Sequence, residues 1–148
     1  MINDAMKAKG RLNIVLKDET GAVKESREID NLVVATGLTF ICSRMGGTSS
    51  DVMSHMAIGT GTTAAASGDT GLGSESHREA LDSTTPSSNT ITYVSSFEAG
   101  EGTGALTEAG IFNAASAGTM LCRTVFDVVN KGANDTMSIT WTITLTAS

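Results

Sequence analysis

The clearest pattern of hydrophobic and polar positions lies near the carboxyl end, where apolar and hydroxyl side chains alternate from Thr136 to Thr146. Five large apolar side chains share one face of this segment: Met137, Ile139, Trp141, Ile143 and Leu145. A period of two predicts a half-buried antiparallel strand. Its hydroxyl face tolerates water, whereas its apolar face needs a covering layer. We therefore expect Trp141, the single tryptophan, to lie in the core.

Two further patterns predict the elements of the amino-terminal third. Residues 11–17 alternate cleanly and residues 22–29 less cleanly, with a glycine-ending turn at residues 18–21 between them, so we expect a hairpin. Apolar residues then recur at i, i+4, i+7 and i+11 from Val34 to Met45, and Gly46-Gly47 follows. This spacing predicts one short helix over about Thr36 to Met45, with Thr36 as its N-cap.

The remaining apolar runs are short and separated by segments rich in glycine, serine and asparagine, which predicts seven or eight strands. With one short helix, the economical fold is all-β, an antiparallel β-sandwich of jelly-roll type. A chain of 148 residues is long enough to bury such a core as one domain without staples. We expect this domain to span residues 11–148 and residues 1–10, which show no clear period, to form a flexible arm.

Charge adds information about partners. The formal net charge of -6 argues against nucleic acid or an anionic membrane as the main partner. Most of the basic residues fall within residues 1–44: Lys7, Lys9, Arg11, Lys17, Lys24, Arg27 and Arg44. Lys7, Lys9 and Arg11 could therefore form an interaction arm that docks on an acidic body. The alternative is that they are ordinary solvated charges, since exposed pairs contribute little.

The sequence contains no pattern typical of catalysis. Gly59-x-Gly61-x-x-Ala64 matches a dinucleotide fingerprint only superficially, because no helix follows it. His55 and His77 are the only histidines, and no G-x-S-x-G elbow accompanies them. We expect no catalytic, cofactor-binding or metal-binding residues.

The acidic residues and the cysteines also give no indication of a metal site or a catalytic site. Glu98, Glu101 and Glu108 lack the spacing of a calcium loop, so we expect Glu98 and Glu101 to be solvated loop charges. Cys42 and Cys122 each follow an apolar residue and are expected to be buried free thiols.

Residues 1–10 lack the apolar run of a signal peptide, and no segment approaches the ~20 apolar residues of a membrane span. These two observations indicate synthesis in a cytoplasm.

Four motifs occur in a recognisable order. They are residues 30–34 (DNLVV) followed by Gly37, residues 56–61 (MAIGTG) followed by LGSE at 72–75 and Arg78, residues 106–112 (LTEAGIF), and residues 141–145 (WTITL). Their order resembles that of small virion structural proteins of tailed bacteriophages. The chain is similar to capsid decoration (cement) proteins and to the amino-terminal parts of tail-fibre proteins over about residues 12–146.

The third motif suggests how one corner of the fold is fixed. Glu108 could accept hydrogen bonds from Arg78 or Arg123, or could simply be exposed at the start of a strand. Ile111 and Phe112 would anchor opposite faces of that strand, and with Trp141 they are the expected core anchors.

The resemblance implies a non-enzymatic protein on the capsid exterior of a virion, made in the host cytoplasm. Its expected partners are the major capsid protein and further copies of itself, as a dimer or trimer. The alternative is a tail-fibre or baseplate adaptor. A lectin-like module is a weaker possibility because aromatic residues amount to only 4% of the chain.

Overall fold

Antiparallel strands make up most of the computed structural model, which describes residues 5–47 and 51–147. The elements of this part of the chain are β1 (Met6–Lys17), β2 (Val23–Val33), α1 (Ala35–Met45), β3 (His55–Gly59), β4 (Glu75–Ala80), β5 (Ser83–Ser87), β6 (Thr90–Phe97), β7 (Gly104–Phe112), β8 (Met120–Lys131) and β9 (Thr136–Ala147). The predicted class, antiparallel β with one short helix, is confirmed.

All nine strands hydrogen-bond in one order, β4-β3-β7-β8-β2-β1-β9-β6-β5. Strand β2 joins the two halves of this sheet, because most of it pairs with β1 while Leu32 and Val33 pair with β8. The end strands β4 and β5 are separated by only Leu81 and Asp82 along the chain. The sheet must therefore curl until its ends meet, and the Ser95 hydroxyl on β6 donates to the Ala80 carbonyl of β4 at 3.3 Å.

The concave side of the curled sheet holds the main core. Strand β9 runs from Thr136 to Ala147, as its alternation predicts, and Trp141 is 0% exposed between Leu12 of β1 and Tyr93 of β6. Side chains from the other half of the sheet complete the core: Met56, Ile58, Leu106, Ile111, Leu121 and Val129. One core thus connects both halves of the sheet.

A second, smaller apolar cluster lies on the convex side of β3, β7 and β8, and consists of Val34, Ala57, Phe112 and Met120 with Leu72 against them. Val34, the residue before α1, and Leu72, from the loop of residues 60–74, help to cover this side. Strand β7 is consequently buried at nearly every position, whereas β1 and β9 alternate because their convex faces meet solvent.

Helix α1 begins one residue earlier than predicted, and its N-cap is Val34 without a side-chain bond. The Thr36 hydroxyl instead donates to the Met120 carbonyl at 2.8 Å. The helix approaches β8 through Gly37, where an added Cβ would lie 2.0 Å from the Leu121 carbonyl oxygen. Met45, part of the predicted apolar stripe, is 79% exposed.

The boundary of the predicted arm also differs. Strand β1 begins at Met6, and residues 6–10 pair with residues 143–147 of β9; residues 1–4 lie outside the described residues. The alternation is hard to see in the sequence because the core-side positions here are the small residues Ala8 and Gly10, with Met6 61% exposed at the strand end. An added Cβ at Gly10 would meet the Asn31 amide oxygen at 1.7 Å, so the inward space is already filled.

The two cysteines differ in environment. Cys122 is a buried free thiol, as predicted, and burial raises its pKa well above the ordinary value. The prediction for Cys42 is wrong, because this residue is exposed on α1.

Candidate functional site

A buried carboxylate organises the convex side of the sheet. Glu108 of β7 is 0% exposed, and its Oε2 accepts the backbone N–H groups of Gly61 at 2.6 Å and Ser74 at 2.7 Å. Its Oε1 accepts the N–H of Gly73 at 2.7 Å. All three donors lie in the loop of residues 60–74, one near its start and two at its end. One side chain therefore holds both ends of this loop.

Arg123 of β8 lies beside this carboxylate and is 2% exposed. Its Nη2 and Nε donate to Oε1 of Glu108 at 3.0 and 3.2 Å. Its remaining donors reach the loop, where Nη1 bonds Asp69 Oδ2 at 2.8 Å and Nη2 bonds the Thr63 carbonyl at 3.0 Å. Of the two partners considered for Glu108, the structure thus selects Arg123.

Arg78, the other candidate, serves a different contact. Its guanidinium pairs with Glu75 at 2.6 Å and donates to the carbonyl oxygens of Ala114 and Ala117 at 2.9 Å each. It also stacks 3.8 Å from the centre of the Phe112 ring, a cation–π contact. Arg78 therefore fixes the turn between β7 and β8.

The bonds to Glu108 and Asp69 favour their ionised forms. Burial alone would raise the pKa of Glu108, but the N–H groups of Ser74, Gly73 and Gly61 and the Arg123 guanidinium together hold it below its ordinary value. The Ala66 N–H, and then Arg123, likewise lower the pKa of Asp69. With five donors on its two oxygens, Glu108 has no acceptor site left for a substrate.

Other bonds complete the fixation of the loop. The Thr107 hydroxyl donates to the Gly61 carbonyl at 2.8 Å, and the Ala35 N–H at the start of α1 donates to the Ser67 carbonyl at 2.8 Å. Gly61 permits the close approach, because a Cβ there would lie 2.4 Å from Oε2 of Glu108. The loop therefore presents a fixed outer surface of small residues.

The suspected arm residues share one surface. Lys7, Lys9 and Arg11 are exposed at alternate positions of β1, opposite Thr146, Thr144 and Thr142 of β9. A shallow groove of about 680 Å³ runs along this face and is lined by Lys9, Gly10, Arg11, Leu12, Asn13, Glu28, Asp30, Asn31, Thr140, Thr142 and Thr144. We use the name β1–β9 face for the exposed side of these two strands, which carries the groove and Lys7. This face combines the cations of Lys7, Lys9 and Arg11 with threonine hydroxyl groups and the carboxylates of Glu28 and Asp30.

The expected core anchors occupy two different clusters. Trp141 and Ile111 are both 0% exposed in the main core, whereas Phe112 belongs to the convex cluster beneath the loop. Ile111 and Phe112 thus point to opposite faces of β7.

Two buried charged residues are not apparent from the sequence. Lys131 of β8 is 2% exposed and donates to the Glu98 carbonyl at 2.8 Å, and burial lowers its pKa despite the acids nearby. Asp135 is 5% exposed and accepts from Lys24 Nζ and the Gly132 N–H, both at 2.7 Å. The Lys24 bond and then the Gly132 N–H lower the pKa of Asp135. Asp135 therefore secures the turn between β8 and β9, and Lys131 ties the end of β8 to the loop that follows β6.

The structure also brings together His77, Glu79 and Glu101, for which we expected no common site. Their ligand atoms lie within 4.8 Å of one another. The sequence signal is weak, because the alternation of His77 and Glu79 places them on one strand face but nothing local indicates Glu101. Glu98, although close in sequence to Glu101, is exposed and does not belong to this group.

The chain matches no protein-family model, no curated protein and no solved structure. Within residues 5–47 and 51–147, no helix combines the length and hydropathy needed to cross a membrane.

Proposed function

We propose that this protein is a non-enzymatic capsid decoration protein of a tailed bacteriophage. In this proposal it binds the major capsid protein on the exterior of the virion, contacts further copies of itself as a dimer or trimer, and uses neither nucleic acid nor membrane as a partner. The resemblance of its four motifs to such proteins supports the proposal, and the surface chemistry described next adds to it.

The observation that carries the proposal is the placement of Lys7, Lys9 and Arg11 along one exposed face. A chain of net charge -6 here presents three cations in a row, beside a strand whose convex side is all hydroxyl. Arg11 pairs with Glu28 at 3.0 Å, but both side chains are more than 60% exposed, so this pair is weak and open to exchange. Such a face suits an acidic protein surface bound by charge complementarity.

The edges of the sheet favour contacts through faces instead of strand addition. Strand β5 is exposed throughout and contains Pro86, which has no N–H to offer an added strand. Strand β4 carries Glu75, His77, Arg78 and Glu79, and charged side chains also discourage edge pairing. Copies on a shell would then dock through the β1–β9 face and the fixed loop of residues 60–74.

A jelly-roll-like sandwich is the finer fold assignment within this proposal. Two facing halves of the curled sheet, joined by β2 and sharing one core, support a sandwich description. The fixed loop and the absence of free acceptors on Glu108 support a structural role for the convex side.

The direct test is to count copies in purified particles of the phage that encodes the chain. Quantitative mass spectrometry should find the protein in a copy number comparable to that of the major capsid protein. For a symmetric shell this means on the order of hundreds of copies per particle. A few tens or fewer would instead indicate the tail adaptor, and absence from particles would refute both.

A matched pair of variants tests the surface. Lys9→Glu, within the groove, should lower co-sedimentation with undecorated shells without changing the melting temperature. Lys17→Glu, on the same exposed face of β1 but beyond the groove, should leave binding unchanged. Equal loss of binding in both variants would show that only net charge matters and would contradict the proposed face.

A further inference from the structure

A group of three metal-ligating side chains lies where the two ends of the curled sheet meet. His77 and Glu79 are at alternate positions of β4, paired with Ile58 and Met56, so both point to the side of the main core. Glu101 comes from the loop of residues 98–103 between β6 and β7. The ligand atoms lie within 4.8 Å of one another, and each residue is partly buried.

We propose that His77, Glu79 and Glu101 bind a divalent transition-metal ion of the Zn²⁺ class. One imidazole nitrogen with two carboxylates is a donor set that suits zinc and its neighbours, with water at a fourth position. Calcium is a poorer fit, because it takes six to eight oxygen ligands and this group offers a nitrogen. The site is independent of the capsid proposal.

The distances require only small movements. His77 Nε2 and Glu79 Oε1 are 2.6 Å apart, already directed at one another. Two ligands of a tetrahedral zinc ion with bonds of about 2.0 Å lie about 3.3 Å apart, so the pair must open by less than about 1 Å. Rotation of these two side chains, 30% and 31% exposed, can supply this movement. Ligand atoms as far apart as 4.8 Å must approach by about 1.5 Å.

Neighbouring residues hold the ligands in position. The His77 ring meets the Phe97 ring edge-on with centres 6.1 Å apart, which limits its orientation. Glu101 Oε2 accepts the Glu98 N–H at 2.8 Å, leaving its other oxygen free of that bond. Gly102 lets the loop approach β4, because a Cβ there would lie 2.4 Å from Ile58 Cδ1 and 3.3 Å from His77 Cβ.

The charges also favour a cation. Glu79 and Glu101 are like charges facing one another at short range, which is unfavourable unless a positive group lies between them. Lys131 is close enough to Glu101 to offset part of this repulsion, and its Nζ donates to the Glu98 carbonyl. A bound ion would neutralise the pair and tie the edge strand β4 to the loop that follows β6, closing the curled sheet at its seam.

The test uses the full chain without a histidine tag, stripped with EDTA and titrated with Zn²⁺ by calorimetry. We expect one ion per chain, and at a hundredfold excess over Kd about a hundredfold decrease in the unfolding equilibrium constant. His77→Gln and Glu101→Gln should each weaken binding by about tenfold or more. The matched controls His55→Gln and Glu98→Gln, which alter the other histidine and the neighbouring glutamate, should bind like the parent.

A second measurement covers the case in which a variant fails to fold. In the unmodified protein, the ¹⁵N resonance of His77 Nε2 should shift on addition of Zn²⁺ while that of His55 stays in place. No saturable binding at millimolar Zn²⁺ would overturn the site and leave His77 and Glu79 as a simple hydrogen-bonded pair. Binding that persists in both ligand variants, or a shift of His55 instead of His77, would also overturn it.

Discussion

The guanidinium of Arg123 lies 3.0 Å from the carboxylate of Glu108, and neither side chain is more than 3% exposed. Burying two charges is costly, and the cost is recovered only when their hydrogen-bonding capacity is satisfied. Here the loop of residues 60–74 supplies the remaining hydrogen-bond partners, so the ion pair and the loop stabilise each other. A single carboxylate thereby converts a long loop into a fixed part of the surface.

Removing the charge of Glu108 should be strongly destabilising. Glu108→Gln leaves Arg123 buried without its main counter-charge, and such a loss costs about 3–5 kcal/mol. Urea unfolding followed by circular dichroism gives the free energy of unfolding. As a control, Glu28→Gln removes the exposed partner of Arg11 and should change stability by less than about 1 kcal/mol. Similar effects in the two variants would contradict a structural role for the buried pair.

Stability should fall in acid because of the same group of residues. The folded-state pKa values of Glu108, Asp69 and Asp135 lie below the ordinary carboxyl value. These residues therefore stabilise the fold above the ordinary carboxyl pKa of about 4, and the contribution is lost as the pH falls through their lowered values. Unfolding free energies measured between neutral and strongly acidic pH should show a smaller acid loss in Glu108→Gln. An unchanged pH profile in that variant would refute this assignment.

Two glycines of the same loop should respond differently to alanine. In Gly61→Ala the new Cβ would lie 2.4 Å from Oε2 of Glu108, so the loop or the carboxylate must move, at a cost of about 1–3 kcal/mol. Gly68 has nothing within 4 Å of an added Cβ, so Gly68→Ala should be nearly neutral. Differential scanning calorimetry of the two variants measures the contrast, and equal melting temperatures would count against the fixed loop.

Tyr93, the only tyrosine, reports on the main core. It is 5% exposed, and burial, with a smaller contribution from Cys122, raises its pKa to about 12. Because the fold favours the neutral phenol, this stabilisation is present below about pH 10 and is lost as the pH rises toward the raised value. Tyrosinate absorbance should appear near pH 12 in the folded protein and near pH 10 in denaturant. Ionisation near pH 10 while circular dichroism still shows the folded sheet would contradict the buried placement.

The spacing of apolar residues predicted the strands and the helix that bury one face along their own length. The alternation around Trp141 defines β9, and the spacing from Val34 to Met45 defines α1, because each depends on one buried face. The pattern weakens where inward residues are small, as at Ala8 and Gly10, and the start of β1 was missed for that reason. The curl of the sheet depends on which distant strands pair, which no local period encodes.

The site was predicted only in part for the same reason. Lys7, Lys9 and Arg11 could be grouped because basic residues are concentrated near the amino end, although their place on one strand was not predicted. Glu108 was singled out, but its pairing with Arg123 instead of Arg78 depends on strand order, because β8 lies next to β7 whereas β3 separates β4 from β7. The approach of Glu101 to His77 depends on Gly102 and on closure of the sheet, so it became visible only in three dimensions.

The measurement that tests the account most directly is native-state hydrogen exchange at the amides bonded to Glu108. In the parent protein, the N–H groups of Gly61, Gly73 and Ser74 should be strongly protected although they lie in a loop. In Glu108→Gln they should lose protection while amides of the central strands β1 and β9 keep theirs. Fast exchange of the three amides in the parent, or unchanged protection in the variant, would contradict the claim that one buried carboxylate fixes this loop.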